Sequence, residues 1–302
     1  MSQLDYFILD VFTESALAGN PLAVVMDTAG LKTGLMQAMA REFNLSETTF
    51  VERRPAAVEL VEGVRVRIFT TQEELPFAGH PTLGTASVLK MLAGDAAQDD
   101  TVRLALNVGS IPVRFEAQAD SSGAIFGEMT QRDPEFGAEL EPAEVARLIG
   151  LSVDDLDPFA MPQVVSTGNG FAVVLLRSAD ALARLQVNHQ EATGYLHAQG
   201  ARWFYVVAPD PAQSEHDPEY RARMQFYGGE DPATGSAAGC AISYLVARRR
   251  VPSGRRIHLR QGVEMGRPSD LFLSARLESA KIADVRVGGS TVLVAKGLIF
   301  LP

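Results

Sequence analysis

The sequence has 302 residues, of which 46% are hydrophobic and 21% charged, a balance typical of folded rather than disordered proteins. That length suits two domains of ordinary size. The formal net charge of −10 at pH 7 repels phosphate backbones and anionic bilayers, so neither nucleic acid nor a membrane is an expected partner.

The chain contains one cysteine, Cys240, and five histidines without the short paired spacing of a zinc site. An internal disulfide is therefore excluded, and we expect no metal. The sequence also lacks a G-x-S-x-G elbow, a P-loop and a G-x-G-x-x-G fingerprint, so we expect no nucleotide or other cofactor. Its N-terminal residues do not resemble a signal peptide, and no apolar stretch approaches the roughly 18 residues of a membrane span. We expect a cytoplasmic protein.

The first half of the chain alternates predicted strands with helices. Apolar residues recur at helical spacing over residues 33–43 and predict an amphipathic helix. Strands are predicted at residues 6–12, 22–26, 48–52 and 64–69. A second helix is predicted to have Pro81 at its first position, where the missing N–H of proline costs least.

The second half repeats this plan. A helix is predicted at 142–149, and another after Asp231-Pro232. Strands are predicted at residues 170–176, 203–208 and 223–227. The tail from 285 to 301 is predicted as a hairpin, with turns at Gly288-Gly289 and Lys296-Gly297.

An internal repeat is suggested by the two helix starts. Superposing Pro81 on Pro232 also aligns Gly84 with Gly235, a shift of 151 residues, or half the chain. A repeat of this kind predicts duplicated domains, although so short a match also arises by chance. Both helices begin with small residues, which is typical of a helix buried inside a curved sheet. The alternative is two ordinary α+β domains without barrels.

The helix starts are candidate anion sites, because unpaired N–H groups and the positive end of the helix dipole favour a carboxylate there. Gly79 and Gly84 near one start, and Gly235 with Ser236 at the other, would let a ligand approach the backbone. Helix capping and packing explain Asp231 and Ser236 equally well at this point.

Two further residues are candidates for proton transfer. Glu47 lies at a predicted helix-to-strand junction beside apolar Leu45 and Phe50, surroundings that raise the pKa of a carboxyl group towards neutrality. The spacing alone favours a surface loop glutamate. An imidazole at His80 can give or take a proton near pH 7, whereas most lone histidines are hydrogen-bonded structural residues.

Several segments together resemble the PhzF-like family of phenazine-biosynthesis isomerases, also called PhzC/PhzF-like, which has a diaminopimelate-epimerase-like fold. The similarity covers essentially the whole chain. Its motifs lie at residues 10–13, 19–21, 44–48, 74–82, 230–237 and 261–268.

The resemblance implies an α+β fold of two pseudo-symmetric domains, each a β-barrel around a central helix. The first domain would span residues 1–126, joined by the last strand at 292–302, and the second would span 127–291. An active site in the cleft between the domains and a homodimer are also implied.

The resemblance also implies roles for individual residues. Glu47 would be the acid/base, and His80 and Asp231 would position the substrate and assist proton movement. The residues that would bind the polar groups of the substrate are Ser46, Gly79, Gly235 and Ser236.

The leading hypothesis is a cofactor-free isomerase that shifts a proton on a small anionic metabolite. One alternative is a non-catalytic metabolite-binding or regulatory protein on the same fold. Another is an epimerase that uses Glu47 with Asp231 or His80, since a two-thiol racemase is excluded by the single Cys240 inside a helix. Departures from the family pattern at Thr71, at Asn169-Gly170 and before Glu230 put the phenazine substrate itself in doubt.

Overall fold

The computed structural model describes residues 3–94, 100–116, 123–210, 219–226 and 229–301. The chain divides into two compact units. Unit 1 comprises Met1–Thr130 and Gly288–Pro302, and unit 2 comprises Gln131–Val287. The first unit boundary, at Thr130, lies at the end of a strand, whereas the predicted boundary at residue 126 falls inside that strand. The second boundary, at Gly288, lies four residues before the predicted one at residue 292.

Unit 1 consists of short strands and three described helices. Its strands are β1 (Gln3–Val11), β2 (Asn20–Val25), β3 (Glu47–Glu52), β4 (Val64–Phe69), β5 (Glu74–Leu75), β6 (Thr101–Leu106), β7 (Gly109–Phe115), β8 (Ile125–Thr130) and the second part of β18 (Lys281–Phe300). Its helices are α1 (Thr33–Phe43), α2 (Ala56–Glu62) and α3 (Gly79–Ala93). The prediction for α1 is confirmed at both ends, and the four predicted strands are present with ends shifted by up to three residues.

The strands of unit 1 form a closed barrel of eight strands. They pair in the order β1-β2-β3-β4-β6-β7-β8-β18, and β18 pairs in turn with β1. Helix α3 is buried from Gly79 to Leu89, as predicted for the central helix. A Cβ atom on Gly84 would lie 2.6 Å from Leu22 Cδ2 and 2.8 Å from Val11 Cγ2. Gly84 therefore serves close packing against the barrel, and the prediction that it exposes backbone to a ligand is wrong.

Unit 2 contains the remaining elements. Its strands are β9 (Glu135–Glu139), β10 (Gln163–Ser166), β11 (Gly170–Leu175), β12 (Trp203–Pro209), β13 (Tyr220–Arg223), β14 (Gln225–Phe226), β15 (Gly229–Glu230), β16 (Ile257–Gln261), β17 (Ser269–Glu278) and the first part of β18. Its helices are α4 (Pro142–Leu148), α5 (Ala179–Ala183), α6 (His189–Ala198) and α7 (Gly235–Ala247). The predicted strand at 223–227 is split between β13 and β14, and residue 227 lies outside the described residues.

The two units share one topology. In unit 2 the order is β9-β10-β11-β12-β13-β16-β17-β18. From β10 to β17 the successive pairings are antiparallel, parallel, antiparallel, parallel and antiparallel, the same sequence of pairings that runs from β1 to β7. Helix α7, buried from Gly235 to Val246, takes the place of α3. The prediction of two pseudo-symmetric α+β units, each wrapped around a central helix, is confirmed.

The predicted register of the repeat is wrong. Helix α3 begins at Gly79 and α7 at Gly235, a shift of 156 residues rather than 151. Pro81 is the third helical residue, where an N–H would still lack a partner within the helix. Pro232 precedes α7 altogether, and its counterpart at the shift of 156 is Pro76.

The predicted C-terminal hairpin is also wrong, because β18 runs unbroken over 20 residues. Its glycines permit close packing rather than turning the chain. A Cβ atom on Gly297 would lie 2.8 Å from the hydroxyl oxygen of Tyr6. Within the described ranges, no helix is long and apolar enough to cross a membrane.

Candidate active site

Glu47 is held at a tight junction between α1 and β3. The helix ends at Asn44, whose left-handed backbone (φ 51°) brings its N–H to the carbonyl of Ala40. The chain enters β3 three residues later at Glu47, which pairs in parallel register with Leu22. The Glu47 side chain is 17% exposed, whereas the neighbouring Ser46 is on the surface. The predicted helix-to-strand junction is confirmed, and Glu47 is a partly enclosed carboxylate rather than a surface loop residue.

His80 is the second residue of α3, and its side chain is only 5% exposed. Burial lowers the pKa of this imidazole to about 3, because the surrounding protein disfavours the charged form. The histidine is therefore neutral at pH 7. Burial therefore disfavours the charged imidazole near pH 7, and the chemistry that it favours for His80 is that of a neutral hydrogen-bonding group.

The structure brings Glu47 and His80 into contact. The distance from His80 Nε2 to Glu47 Oε2 is 3.4 Å, somewhat longer than an ordinary hydrogen bond. The other ring nitrogen, Nδ1, lies 3.2 Å from the amide nitrogen of Asn20. Within the described residues, Nε2 and Glu47 Oε2 are both buried and neither makes a hydrogen bond, so the 3.4 Å contact is a close approach rather than a formed bond. A buried polar atom of this kind is typical of a functional site, and catalytic hydrogen bonds are often long before substrate binds.

In unit 2, Asp231 lies between β15 and α7 on a loop fixed by hydrogen bonds. Its carboxylate accepts a hydrogen bond of 2.6 Å from the Thr234 hydroxyl, and its backbone N–H donates to Met224 O. Thr234, not Asp231, is the N-cap residue of α7. The capping explanation for Asp231 is therefore wrong.

Buried Gln261 also fixes this loop by hydrogen bonds. Its side-chain amide donates to Asp231 O at 2.7 Å, while its side-chain carbonyl accepts from Tyr205 Oη and from the N–H of Thr234. The next residue, Gly262, has φ 78°, and a Cβ atom there would lie 2.7 Å from Pro232 O. Sequence analysis found this segment only as part of a family motif and did not predict its structural role.

Gly235 and Ser236 form the first turn of α7, and both are buried. A second buried glutamine supports this turn, because Gln131 Nε2 donates to Gly235 O at 2.8 Å. Thr167 in turn donates to the Gln131 side-chain oxygen at 2.7 Å. Neither Gln131 nor Thr167 was predicted, since nothing local in the sequence links residues so far apart.

Each unit has an arginine that joins two segments near its candidate residues. In unit 1, Arg67 of β4 binds both carboxylate oxygens of Glu74 at 2.9 and 2.6 Å and also donates to the Thr33 hydroxyl at the start of α1. In unit 2, Arg223 binds Glu230 at the same two distances. It also donates to carbonyl oxygens around the end of α5, at Leu182, Ala183 and Leu185.

Cys240 is the sixth residue of α7 and is fully buried. Its sulfur lies 3.6 Å from Thr167 Oγ1 and 3.8 Å from Asn169 O. Burial raises the pKa of the thiol to about 11, so it is protonated at neutral pH. Among the described residues, no group of three or more His, Cys, Asp or Glu side chains is placed to hold a metal ion.

The structure therefore places the predicted residues in two sets. Glu47 and His80 are in contact in unit 1, where Gly79 opens α3 and Ser46 precedes β3. In unit 2, Asp231 shortly precedes α7, whose first two residues are Gly235 and Ser236.

Comparison with known proteins gives a consistent result. The family described as phenazine biosynthesis-like protein, PhzC-PhzF, matches residues 9–297. An uncharacterised isomerase of Mesorhizobium japonicum is 36% identical over 315 residues, covering 100% of both chains. The trans-2,3-dihydro-3-hydroxyanthranilate isomerase of Pseudomonas aeruginosa is 35% identical, covering 98% of this chain and 99% of its own.

A solved structure shows the same fold. The PhzF-family phenazine biosynthesis protein of Bacillus anthracis superposes with a TM-score of 0.85 at 25% identity, covering 100% of both chains. The fold and these relatives define an isomerase with a diaminopimelate-epimerase-like architecture. This chain belongs to the PhzC-PhzF family.

Proposed function

We propose that this isomerase shifts a proton between two carbon atoms of a small carboxylated metabolite, without a cofactor, and that Glu47 carries the proton. The contact of 3.4 Å between Glu47 and the buried, neutral imidazole of His80 is the observation that carries the proposal. A partly enclosed carboxylate beside a neutral hydrogen-bond donor is suited to act as the base that removes a proton from carbon.

The reaction needs only one titrating group. The Glu47 carboxylate removes a proton from one carbon and becomes a carboxylic acid, while the electron pair left behind is delocalised in the substrate. The same carboxylic acid then returns the proton to a second carbon, which regenerates the carboxylate. In this mechanism His80 orients the Glu47 side chain and is not itself consumed or charged.

Binding of an anionic substrate requires a local attraction that overcomes the net charge of −10. The first turn of α3 offers backbone N–H groups at Gly79 and His80 together with the positive end of the helix dipole. We propose that these groups and Ser46 bind polar groups of the substrate. Gly235 and Ser236 at the start of α7 are proposed to do the same, and Asp231 to assist proton movement.

The class of substrate is supported by the relative in Pseudomonas aeruginosa, whose name gives trans-2,3-dihydro-3-hydroxyanthranilate as its substrate. That compound is a small carboxylic acid with a carbon-bound proton to move, and it is the first compound to assay. Every substrate of this class requires cleavage of a C–H bond. Close analogues that carry the same carboxylate can therefore be assayed in the same way.

The decisive experiment compares Glu47→Gln with the wild-type protein in deuterated water. Glutamine keeps the size of the side chain but cannot accept a proton, so turnover is expected to fall by about 10²- to 10⁴-fold with little change in affinity. Solvent deuterium is expected in the product of the wild-type enzyme only.

Glu42→Gln is the matched control, because Glu42 is an exposed carboxylate on α1 five residues earlier. This variant is expected to retain full turnover. Wild-type turnover by Glu47→Gln would reject Glu47 as the proton carrier.

Independence from cofactors has its own test. Exhaustive dialysis against EDTA is expected to leave turnover unchanged. Loss of activity that one added divalent metal restores would overturn this part of the proposal without affecting the assignment of Glu47.

An epimerase that uses a second base remains the competing reaction. Epimerisation returns the proton to the same carbon from the opposite face, so it changes optical rotation without moving a double bond. Proton NMR of the product distinguishes the two outcomes, and inversion at a single carbon would replace the proton shift proposed above.

A further inference from the structure

Asn20 is a buried polar residue that the proposed chemistry does not yet use. It is the first residue of β2, is fully buried, and pairs across the sheet with Val11. The preceding Gly19 has φ 64°, and a Cβ atom there would lie 2.4 Å from Val11 O. The turn therefore requires glycine, and it fixes the point at which Asn20 enters the barrel.

The contact between Asn20 and His80 points to where the imidazole proton lies. The amide nitrogen of Asn20 is 3.2 Å from His80 Nδ1, and an amide NH₂ group can only donate a hydrogen bond. With the amide in this orientation, Nδ1 is the acceptor and carries no proton. Because the ring is buried and neutral, its single proton lies on Nε2, the nitrogen that faces Glu47 Oε2 at 3.4 Å.

The opposite tautomer would have a different consequence for Glu47. With the proton on Nδ1, the lone pair of Nε2 would face the carboxylate oxygen, and the two acceptors would repel each other. That arrangement suits only a protonated Glu47. The tautomer of His80 thus favours either the ionised or the protonated form of the neighbouring carboxyl group.

We propose that Asn20 is a positioning residue that fixes His80 in the Nε2–H tautomer, so that the imidazole donates to the Glu47 carboxylate and keeps it ready to remove a proton. The inference rests on the proposed roles of Glu47 and His80. Asn20 touches neither the substrate nor Glu47 in this scheme and acts only through His80.

The tautomer is measured directly by NMR of protein labelled with ¹⁵N in histidine, because protonated and unprotonated ring nitrogens have distinct chemical shifts. Comparison with His80→Gln assigns the signals of His80 among the five histidines. The wild-type protein is expected to show an unprotonated Nδ1 and a protonated Nε2 at pH 7. A protonated Nδ1 would overturn the proposal.

Substitution of Asn20 tests the cause. In Asn20→Asp the facing atom becomes an acceptor of similar shape, so Nδ1 is expected to become protonated. An unchanged Nδ1 in this variant would show that another group sets the tautomer. Asn188→Asp is the matched control, because Asn188 is the exposed N-cap of α6 and aspartate is an equally good capping residue. It is expected to leave the signals of His80 unchanged.

The activity of Asn20→Leu separates positioning from mere stability. Leucine fills similar space but cannot donate to Nδ1, so kcat is expected to fall by roughly tenfold or more, because a small misplacement of active-site groups is costly. The acid limb of the pH profile of kcat/KM is expected to move to higher pH, because Glu47 loses a hydrogen-bond donor that favours its ionised form. KM should change little.

The outcomes distinguish the two proposals. If Asn20→Leu folds and keeps the wild-type kcat and pH profile, the positioning role is wrong even though Glu47 still carries the proton. If Glu47→Gln retains turnover, the proposed function fails, whatever the tautomer of His80. If Asn20→Leu does not fold, the NMR measurement on the wild-type protein still decides the tautomer.

Discussion

Arg67 and Arg223 occupy equivalent positions in the two units, 156 residues apart, and each forms a two-point ion pair with a glutamate seven residues later. The same shift relates Glu74 to Glu230. Each glutamate lies five residues before the central helix of its unit. The two pairs thus anchor the segments that lead to His80 and Asp231.

Loss of one partner is expected to destabilise unit 2 more than unit 1. The Arg223 and Glu230 side chains are 9% and 12% exposed, compared with 16% and 23% for Arg67 and Glu74. Removal of Glu230 leaves the buried Arg223 with only the more distant carboxylate of Glu264, 3.8 Å away. Breaking a buried pair in this way costs roughly 3 kcal/mol. Urea unfolding should therefore give a larger loss for Glu230→Gln than for Glu74→Gln. The exposed pair Arg147–Glu144 provides the control, and Glu144→Gln should change stability little. Equal losses for all three variants would contradict this ranking.

The burial of His80 predicts a loss of stability in mild acid. Burial lowers the pKa of this residue to about 3, whereas an exposed histidine in the unfolded chain has its ordinary pKa of 6.5. Between these two pH values the unfolded chain therefore binds more protons than the folded protein. Stability is unaffected by His80 above about pH 6.5 and falls as the pH drops below it, approaching about 1.4 kcal/mol per pH unit. Urea unfolding from pH 7 to 5 should show this slope in the wild type and a smaller one in His80→Gln. His189→Gln serves as a comparison, since burial lowers the pKa of His189 as well but less completely. An identical slope in wild type and His80→Gln would refute the prediction.

Cys240 is expected to be chemically inert and dispensable. Burial and a pKa of about 11 keep its thiol protonated, and thiolates rather than thiols react. Ellman's reagent should not modify the native protein but should modify one thiol after denaturation. Cys240→Ser should retain turnover, because serine can still bond to Thr167 or Asn169 O. Rapid labelling of the native protein with parallel loss of activity would point to a catalytic thiol.

The close fit of α3 in its barrel is testable at Gly84. Alanine there would bring its Cβ within 2.8 Å of side-chain atoms of both Leu22 and Val11. Overpacking of this kind typically costs about 1–3 kcal/mol. Urea unfolding of Gly84→Ala should show that loss, whereas Gly34→Ala, in open space on α1, should be neutral or slightly stabilising. A neutral Gly84→Ala would mean that the barrel wall yields easily.

Local patterns in the sequence predicted part of this fold well. The apolar face of residues 33–43 predicted α1 to the residue, and the small residues after Gly79 and Gly235 predicted two buried helices. The position of Glu47 between helix and strand followed from the same patterns. Periodicity is most informative where one element buries a continuous face.

The register of the repeat could not be read from a few proline and glycine residues. The shift of 156 is carried instead by side chains that bond to each other within each unit, namely the pairs Arg67–Glu74 and Arg223–Glu230. Such pairs become recognisable only when the strands that carry them are known.

Buried polar contacts were equally hidden from the sequence. Gln131, Gln261 and Asn20 each bond to groups between 30 and 104 residues away, and no periodic pattern encodes such contacts. The sequence therefore did not predict that these three residues support α7, Asp231 and His80.

The long final strand has a consequence for how the chain is made. Ribosomes release the N-terminus first, yet β1 finds one of its two barrel partners in Thr291–Phe300. Unit 2 ends at Val287, so its whole sequence has been translated while the first barrel still lacks its closing strand. Until then β1 presents an unpaired strand edge, which is a site for aggregation. The barrel of the half that is synthesised first therefore cannot close until the last residues of the chain have been made.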